Sequence, residues 1–89
     1  MGSASSDEFN GLALRVWRTY RGLTTSELAE KLHQRGKAVS PAAITRWELG
    51  DRKPQDRALI RSIAKVLRCS SIALYRRPIL TYRSDDRED

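Results

Sequence analysis

The sequence predicts an all-α fold, and three kinds of signal indicate this class. Residues that can cap a helix stand immediately before apolar stretches, as in Thr24–Glu27 and Ser40–Pro41. Apolar residues within those stretches recur at spacings of three and four, which places them on one face of a helix. Glycines follow at Gly22, Gly36 and Gly50, where a left-handed residue can end a helix. In 89 residues these signals predict one small domain of five helices.

The first helix is expected to span residues 7–21, with Ser6 as its cap. Leu14 and Trp17 mark its buried face, because residues three apart lie on the same side of a helix. Residues 1–6, MGSASS, are small and polar, so we expect a disordered arm or a tag remnant there.

The second and third helices carry the clearest signals in the chain. The second is expected to begin at Thr25 inside a capping box, and the third at Pro41 behind the capping serine Ser40. Their apolar stripes predict burial of Leu28, Ala29, Leu32, Ile44 and Trp47. Two short helices joined by a glycine-containing turn form the geometry that places the second of the pair in the major groove of DNA.

The outer face of the third helix carries small side chains and one cation. The major groove is about 12 Å wide and admits one helix if its leading face is not bulky. Ala42 and Ala43 meet that condition, and Arg46 could donate two hydrogen bonds to guanine O6 and N7. The alternative is that these residues form an ordinary helix surface.

The remaining helices are expected to close the core. The fourth should run from Gln55 or Asp56 to Leu67, with apolar residues at helical spacing. The fifth should begin at Ser70 and end before Pro78, because proline does not continue a helix. We therefore expect the domain to occupy residues 7–78.

Residues 79–89 then form a C-terminal extension with an acidic end. Within it, Ile79, Leu80 and Tyr82 belong to a short β-favouring run that is too small to make its own core. One interpretation is that they are dimer contacts, since operators with two half-sites are read by two-fold dimers. The other is that the run folds back on its own domain beside Tyr75.

The charge is unevenly distributed along the chain. The net charge is +6, but residues 9–83 hold sixteen lysines and arginines against five acidic residues, or +11. A strongly basic segment of this kind favours the binding of a polyanion. Counterion release would then supply an affinity that is independent of nucleotide sequence and falls as the salt concentration rises. The alternative is a solvated basic surface without a ligand.

Catalytic and metal chemistry has little support. His33 and Cys69 are the only residues of their types, and neither a glycine-rich phosphate loop nor an HExxH or CxxC motif is present. We expect no enzyme, no cofactor and no metal, with Cys69 a small buried hydrophobe. No apolar run of about twenty residues or signal segment is seen, so a cytoplasmic, nucleoid-associated protein is expected.

Two thirds of the chain resembles a known family, the helix-turn-helix domains of the lambda-repressor and Cro type. The matching pieces are Arg18, RGLTTSELAEKL at 21–32, SPAAITRWELG at 40–50, RKP at 52–54, and IAKVL with Ser70 and Leu74 behind it. The resemblance implies a compact five-helix bundle with residues 41–48 as recognition helix. It also implies a sequence-specific transcriptional regulator, of the phage-repressor or Cro-like kind, that binds double-stranded DNA as a homodimer.

The resemblance, together with the outer face of the third helix, gives the candidate contacts. Those to bases are Pro41, Ala42, Ala43, Thr45 and Arg46. Those to phosphates are Thr25, Ser26, Ser40, Arg52 and Lys53. The resemblance also implies a partly buried ion pair between Arg18 and Glu48 that fixes the angle of the recognition helix.

The turn departs from the family pattern. Family members join the two helices with about three residues, whereas residues 33–40 make eight here. We interpret this as an extra helical turn through Arg35, a stop at Gly36, and a short loop that returns Val39 to the core. The loop makes Lys37 and Arg35 further candidate phosphate contacts.

A second class of function shares the same helices. In an antitoxin-type protein the fold would bind DNA while a tail such as residues 76–89 holds a protein partner. RNA binding is a weaker third interpretation, because no aromatic platform for stacking bases is apparent in the sequence.

Overall fold

A computed structural model describes residues 8–75, and this range holds four α-helices and no strand. The helices are α1 (Gly11–Tyr20), α2 (Thr25–Gln34), α3 (Pro41–Leu49) and α4 (Arg57–Leu67), followed by a 3-10 helix at Ser71–Leu74. The all-α class is confirmed, but the count of five α-helices is not, since the fifth element is a single 3-10 turn. Among the described residues, no helix has the length and apolar character needed to cross a membrane.

The caps predicted for α2 and α3 are confirmed. The Thr24 hydroxyl accepts from the Glu27 backbone N–H at 3.0 Å, and the Glu27 carboxylate accepts from the Thr24 backbone N–H at 2.8 Å. At α3, the Ser40 hydroxyl accepts from the Ala43 backbone N–H at 3.1 Å. Gly50 ends α3 with φ of 86°, a backbone conformation that costs glycine little. Both helices therefore begin where their own side chains satisfy free amides.

The start of α1 differs from the prediction of residue 7. Asn10 caps the helix, because its side-chain oxygen accepts from the N–H groups of Leu12 and Ala13 at 2.9 and 3.2 Å. Its own N–H donates to the carbonyl of Leu74 at 2.7 Å. Asn10 is thereby held in an extended conformation, so α1 begins at the next residue, Gly11. The predicted cap, Ser6, lies outside the described residues.

The core lies where the four helices meet the 3-10 helix. Its fully buried large side chains are Leu14, Leu28, Leu32, Ile44, Ile63, Leu67 and Leu74. Trp47 and Ala29 are also buried, so the five core residues predicted for α2 and α3 are confirmed. Trp17 is half-buried and packs against this cluster. Each buried leucine or isoleucine contributes about 1.5–3 kcal/mol through the apolar surface it removes from water.

The long turn between α2 and α3 follows the predicted course. The α2 helix ends at Gln34, and Gly36 has φ of 82°. The N–H of Lys37 then donates to the carbonyl of Leu32 at 2.9 Å, which closes the helix end. Val39 packs against the core. The extra residues therefore extend α2 and leave the entry to α3 anchored.

The start of α4 is set by Asp56, whose carboxylate accepts from the N–H of Leu59 at 2.8 Å.

Beyond the end of α4, Cys69 is half-buried and packs against the core. Burial raises the pKa of the Cys69 thiol, and the nearby Arg21 guanidinium opposes that shift. A raised pKa lowers the thiolate fraction at neutral pH, which is consistent with a packing role.

Candidate nucleic-acid interface

The α3 helix separates a buried side from an outer face. Ile44 and Trp47 are buried, whereas Pro41, Ala42, Thr45 and Arg46 are exposed. The residues predicted to contact bases therefore share the outer face, except Ala43. Ala43 is half-buried and packs against the core, so it offers less surface than its neighbour.

The Thr45 hydroxyl is engaged within α3, because it donates to the carbonyl of Pro41 at 3.2 Å. A threonine whose hydroxyl is satisfied in this way presents mainly its methyl group. Beside the Ala42 methyl, it forms a small apolar surface of the kind that contacts the thymine methyl group. Arg46 is the only cation on the helix.

A cleft of about 650 Å³ connects α3 to the loop that follows it. The cleft brings together six of the predicted contact residues and several apolar ones. The predicted contact residues that line it are Ser40, Ala42, Ala43, Arg46 and the two loop cations Arg52 and Lys53. Thr25, Ser26, Lys37, Pro41 and Thr45 do not line it. The cations are therefore continuous with the outer face of α3.

Lys53 has a partner that the sequence did not predict. Its ammonium lies 3.5 Å from the carboxylate of Glu8, and both side chains are more than half exposed. An exposed pair of this kind contributes little to stability, so a phosphate could displace Glu8. Neither Arg46 nor Arg52 forms an ion pair within residues 8–75.

The candidate phosphate contacts at the start of α2 lie at a helix N-terminus. Thr25 is half-buried and Ser26 is exposed, and free backbone N–H groups at this end favour an anion. Ser40 occupies the corresponding place before α3, where its hydroxyl accepts from Ala43 and keeps its own proton to donate. Lys37 is half-buried in the turn between them.

An ion pair fixes α3 against α1. Arg18 Nε donates to Glu48 Oε2 at 2.6 Å and Arg18 Nη2 to Glu48 Oε1 at 3.0 Å, while Nη1 donates to the carbonyl of Leu23 at 2.7 Å. The side chains are 15% and 7% exposed. The hydrogen bonds that Arg18 donates to the Glu48 carboxylate raise the pKa of Arg18, against the effect of burial. One guanidinium therefore joins α1, the turn after it and the end of α3.

Gly11 makes the second contact that positions α3, and sequence reasoning missed it. A Cβ atom at Gly11 would lie 2.0 Å from the carbonyl oxygen of Trp47 and 2.9 Å from that of Glu48. Only glycine allows the start of α1 to approach the end of α3 so closely. The available signal was a glycine inside a predicted helix, which often marks a close packing contact.

Comparison with known proteins gives one match. A family model described as a helix-turn-helix domain matches residues 11–74. These bounds coincide with the first residue of α1 and the last residue of the 3-10 helix. The searches against curated proteins and against solved structures each returned no match.

Proposed function

The chain belongs to the helix-turn-helix domain family, and from this membership we propose that it is a sequence-specific transcriptional regulator that binds double-stranded DNA. The α3 helix enters the major groove, as the recognition helix of a phage-repressor or Cro-like protein does. The protein acts by binding and not by catalysis, in the cytoplasm where the nucleoid lies.

The outer face of α3 is the observation that carries this proposal. It is exposed, it is narrow because Ala42 and Thr45 are small, and it carries one guanidinium at Arg46. A single arginine among methyl groups can pair with guanine O6 and N7 while its neighbours touch thymine. The ion pair between Arg18 and Glu48 holds this face at a fixed angle.

The loop after α3 supports the proposal through charge. Arg52 and Lys53 are exposed and line the same cleft as Arg46. Cations beside a recognition helix contact phosphates, which fixes the register of the helix but reads no bases. Together with the basic body of the chain, they supply the affinity that falls with salt.

Two substitutions separate base reading from phosphate contact, once a duplex has been selected from random DNA. Arg46→Ala is expected to cost about 1–3 kcal/mol on the selected duplex and little on random DNA, because it removes a base contact. Lys53→Ala should weaken both duplexes alike and lower the salt slope by about one, because it removes a phosphate contact. Fluorescence anisotropy at several salt concentrations measures both effects.

Arg61→Ala is the matched control, since Arg61 is exposed on α4 and does not line the cleft beside α3. It should leave binding to both duplexes unchanged. Equal losses from Arg46→Ala on selected and random DNA would contradict the assignment of Arg46 to a base.

The regulator is proposed to bind its operator as a homodimer. The start of α1 meets both the end of α3 and the 3-10 helix, through Gly11 and the hydrogen bond from Asn10 to Leu74. Within two residues of this junction stand three exposed apolar side chains, Leu12, Leu49 and Ile72. Exposed apolar side chains of this kind favour packing against a second copy of the chain over contact with water. The other candidate contacts, Ile79, Leu80 and Tyr82, lie outside the described residues.

Sedimentation on the selected duplex tests the dimer. Two copies of the 10.1 kDa chain are expected per duplex. Leu12→Lys with Ile72→Lys should reduce this to one copy, because two like charges would enter the interface. Tyr20→Lys, at an exposed aromatic residue on α1, serves as the control and should retain two copies. One copy per duplex for the unaltered chain would contradict the dimer.

A further inference from the structure

A second basic cleft lies where three helices end. It has a volume of about 700 Å³ and shares no residue with the cleft beside α3. The ends of α1, α2 and α4 contribute to it, and we call it the helix-end cleft. Its cationic residues are Arg21, Lys31, Arg35, Lys65 and Arg68. No acidic residue lines it.

Little in residues 8–75 neutralises this cluster. None of the five cations forms an ion pair there. Among these five side chains, only that of Arg21 makes hydrogen bonds within the same range, from Nε to the carbonyl of Leu67 at 2.7 Å and from Nη2 to that of Arg68 at 3.0 Å. Glu27 lies one turn before Lys31, but its carboxylate is held by the backbone N–H of Thr24.

Helix ends account for part of this charge, since a cation near a C-terminus is favoured by the helix dipole. The dipole effect accounts for a cation near the C-terminus of each helix, on any side of that helix. Here five face one concave space, where their mutual repulsion favours the binding of a multivalent anion. Leu23 and Val66 add apolar wall to the same space.

An aromatic ring stands beside the cleft. Tyr20 is 71% exposed, and Arg21 Cζ lies 5.0 Å from the centroid of its ring. The same guanidinium carbon lies 5.4 Å from the Trp17 ring, and the two rings meet edge to face at 5.8 Å. Arg21 therefore holds a largely free ring next to the cations. Such a ring can stack on a nucleobase.

We propose that the helix-end cleft binds a nucleoside polyphosphate. Lys31, Arg35 and Lys65 hold the phosphates, which suit flexible ammonium and guanidinium donors. The base stacks on Tyr20. The volume of the cleft falls within the range of small-ligand sites, about 300–1,000 Å³. This binding is independent of whether α3 reads DNA.

Calorimetric titration of the full chain with ATP tests the proposal at low salt. Saturable binding is expected, and Lys31→Gln with Lys65→Gln should weaken it at least about tenfold, because two charged contacts are lost. Arg52→Gln with Lys53→Gln removes the same charge from the other cleft and should change ATP affinity by less than about twofold. All four side chains are exposed, so both variants keep the core.

Inorganic triphosphate separates the base from the phosphates. Tyr20→Ala should lower the affinity for ATP about tenfold, because the stacking contact is lost. It should change the affinity for inorganic triphosphate by less than about twofold. Three results would overturn the proposal: no saturation by ATP, equal losses in the two double variants, or equal losses of ATP and triphosphate in Tyr20→Ala. Loss of duplex binding in the Lys31 and Lys65 variant, with ATP binding unchanged, would instead assign the cleft to DNA and also overturn it.

Discussion

Arg18→Ala is expected to lower the free energy of unfolding by about 3–5 kcal/mol, because it leaves the Glu48 carboxylate without its partner. Glu48 is only 7% exposed, and both of its oxygens accept from Arg18. The carbonyl of Leu23 loses its guanidinium donor as well. A loss of this size is most of the stability that a domain of this length has. Urea denaturation followed by circular dichroism measures it.

The double variant with Arg18→Leu and Glu48→Leu is the control for this effect. Replacement of both ions by apolar groups leaves no unpaired charge, so it should recover most of the stability lost in either single variant. If the double variant were as unstable as the sum of the two single variants, the ion pair would not be the cause of the loss.

Gly11→Ala is expected to cost about 3 kcal/mol or more, at the upper end of the range for overpacked sites. The added carbon would lie 2.0 Å from the carbonyl oxygen of Trp47, so the backbone of α1 or α3 must move. Because α3 carries the outer face, the same movement should weaken binding to the selected duplex. Thermal denaturation and anisotropy measure the two effects.

Gly22→Ala provides a matched control for Gly11→Ala. Gly22 has φ of 72°, and an added Cβ would meet no atom within 4 Å. Its cost should be about 1–2 kcal/mol, which arises from the left-handed backbone alone. Equal destabilisation by the two substitutions would show that close contact at Gly11 is not responsible.

The local signals of the sequence predicted the parts of the fold that depend on near neighbours. The capping box of Thr24 and Glu27 and the cap at Ser40 are formed within three residues, so the chain shows them directly. The spacing of the apolar residues in α2 and α3 likewise predicted which face of each helix is buried. The pairing of Arg18 with Glu48 came from the family resemblance, since no spacing predicts a contact across thirty residues.

Other features depend on contacts between distant segments, and the sequence did not show them. Asn10 starts α1 because its N–H reaches the carbonyl of Leu74, which is 64 residues away. Gly11 is required by the backbone of α3 and not by its own helix. The helix-end cleft exists only because the ends of α1, α2 and α4 meet. Its cations are spread over the sequence, so their positions along the chain did not predict that they form one cluster.

Amide shift mapping tests most directly whether the outer face of α3 enters a duplex. The full chain, labelled with ¹⁵N, would be titrated with the selected duplex at moderate salt. We expect the largest shifts at Ala42, Thr45 and Arg46, with further shifts at Ser26 and Arg52. Large shifts confined to α4 and the 3-10 helix, with the amides of α3 unchanged, would contradict this mode of binding.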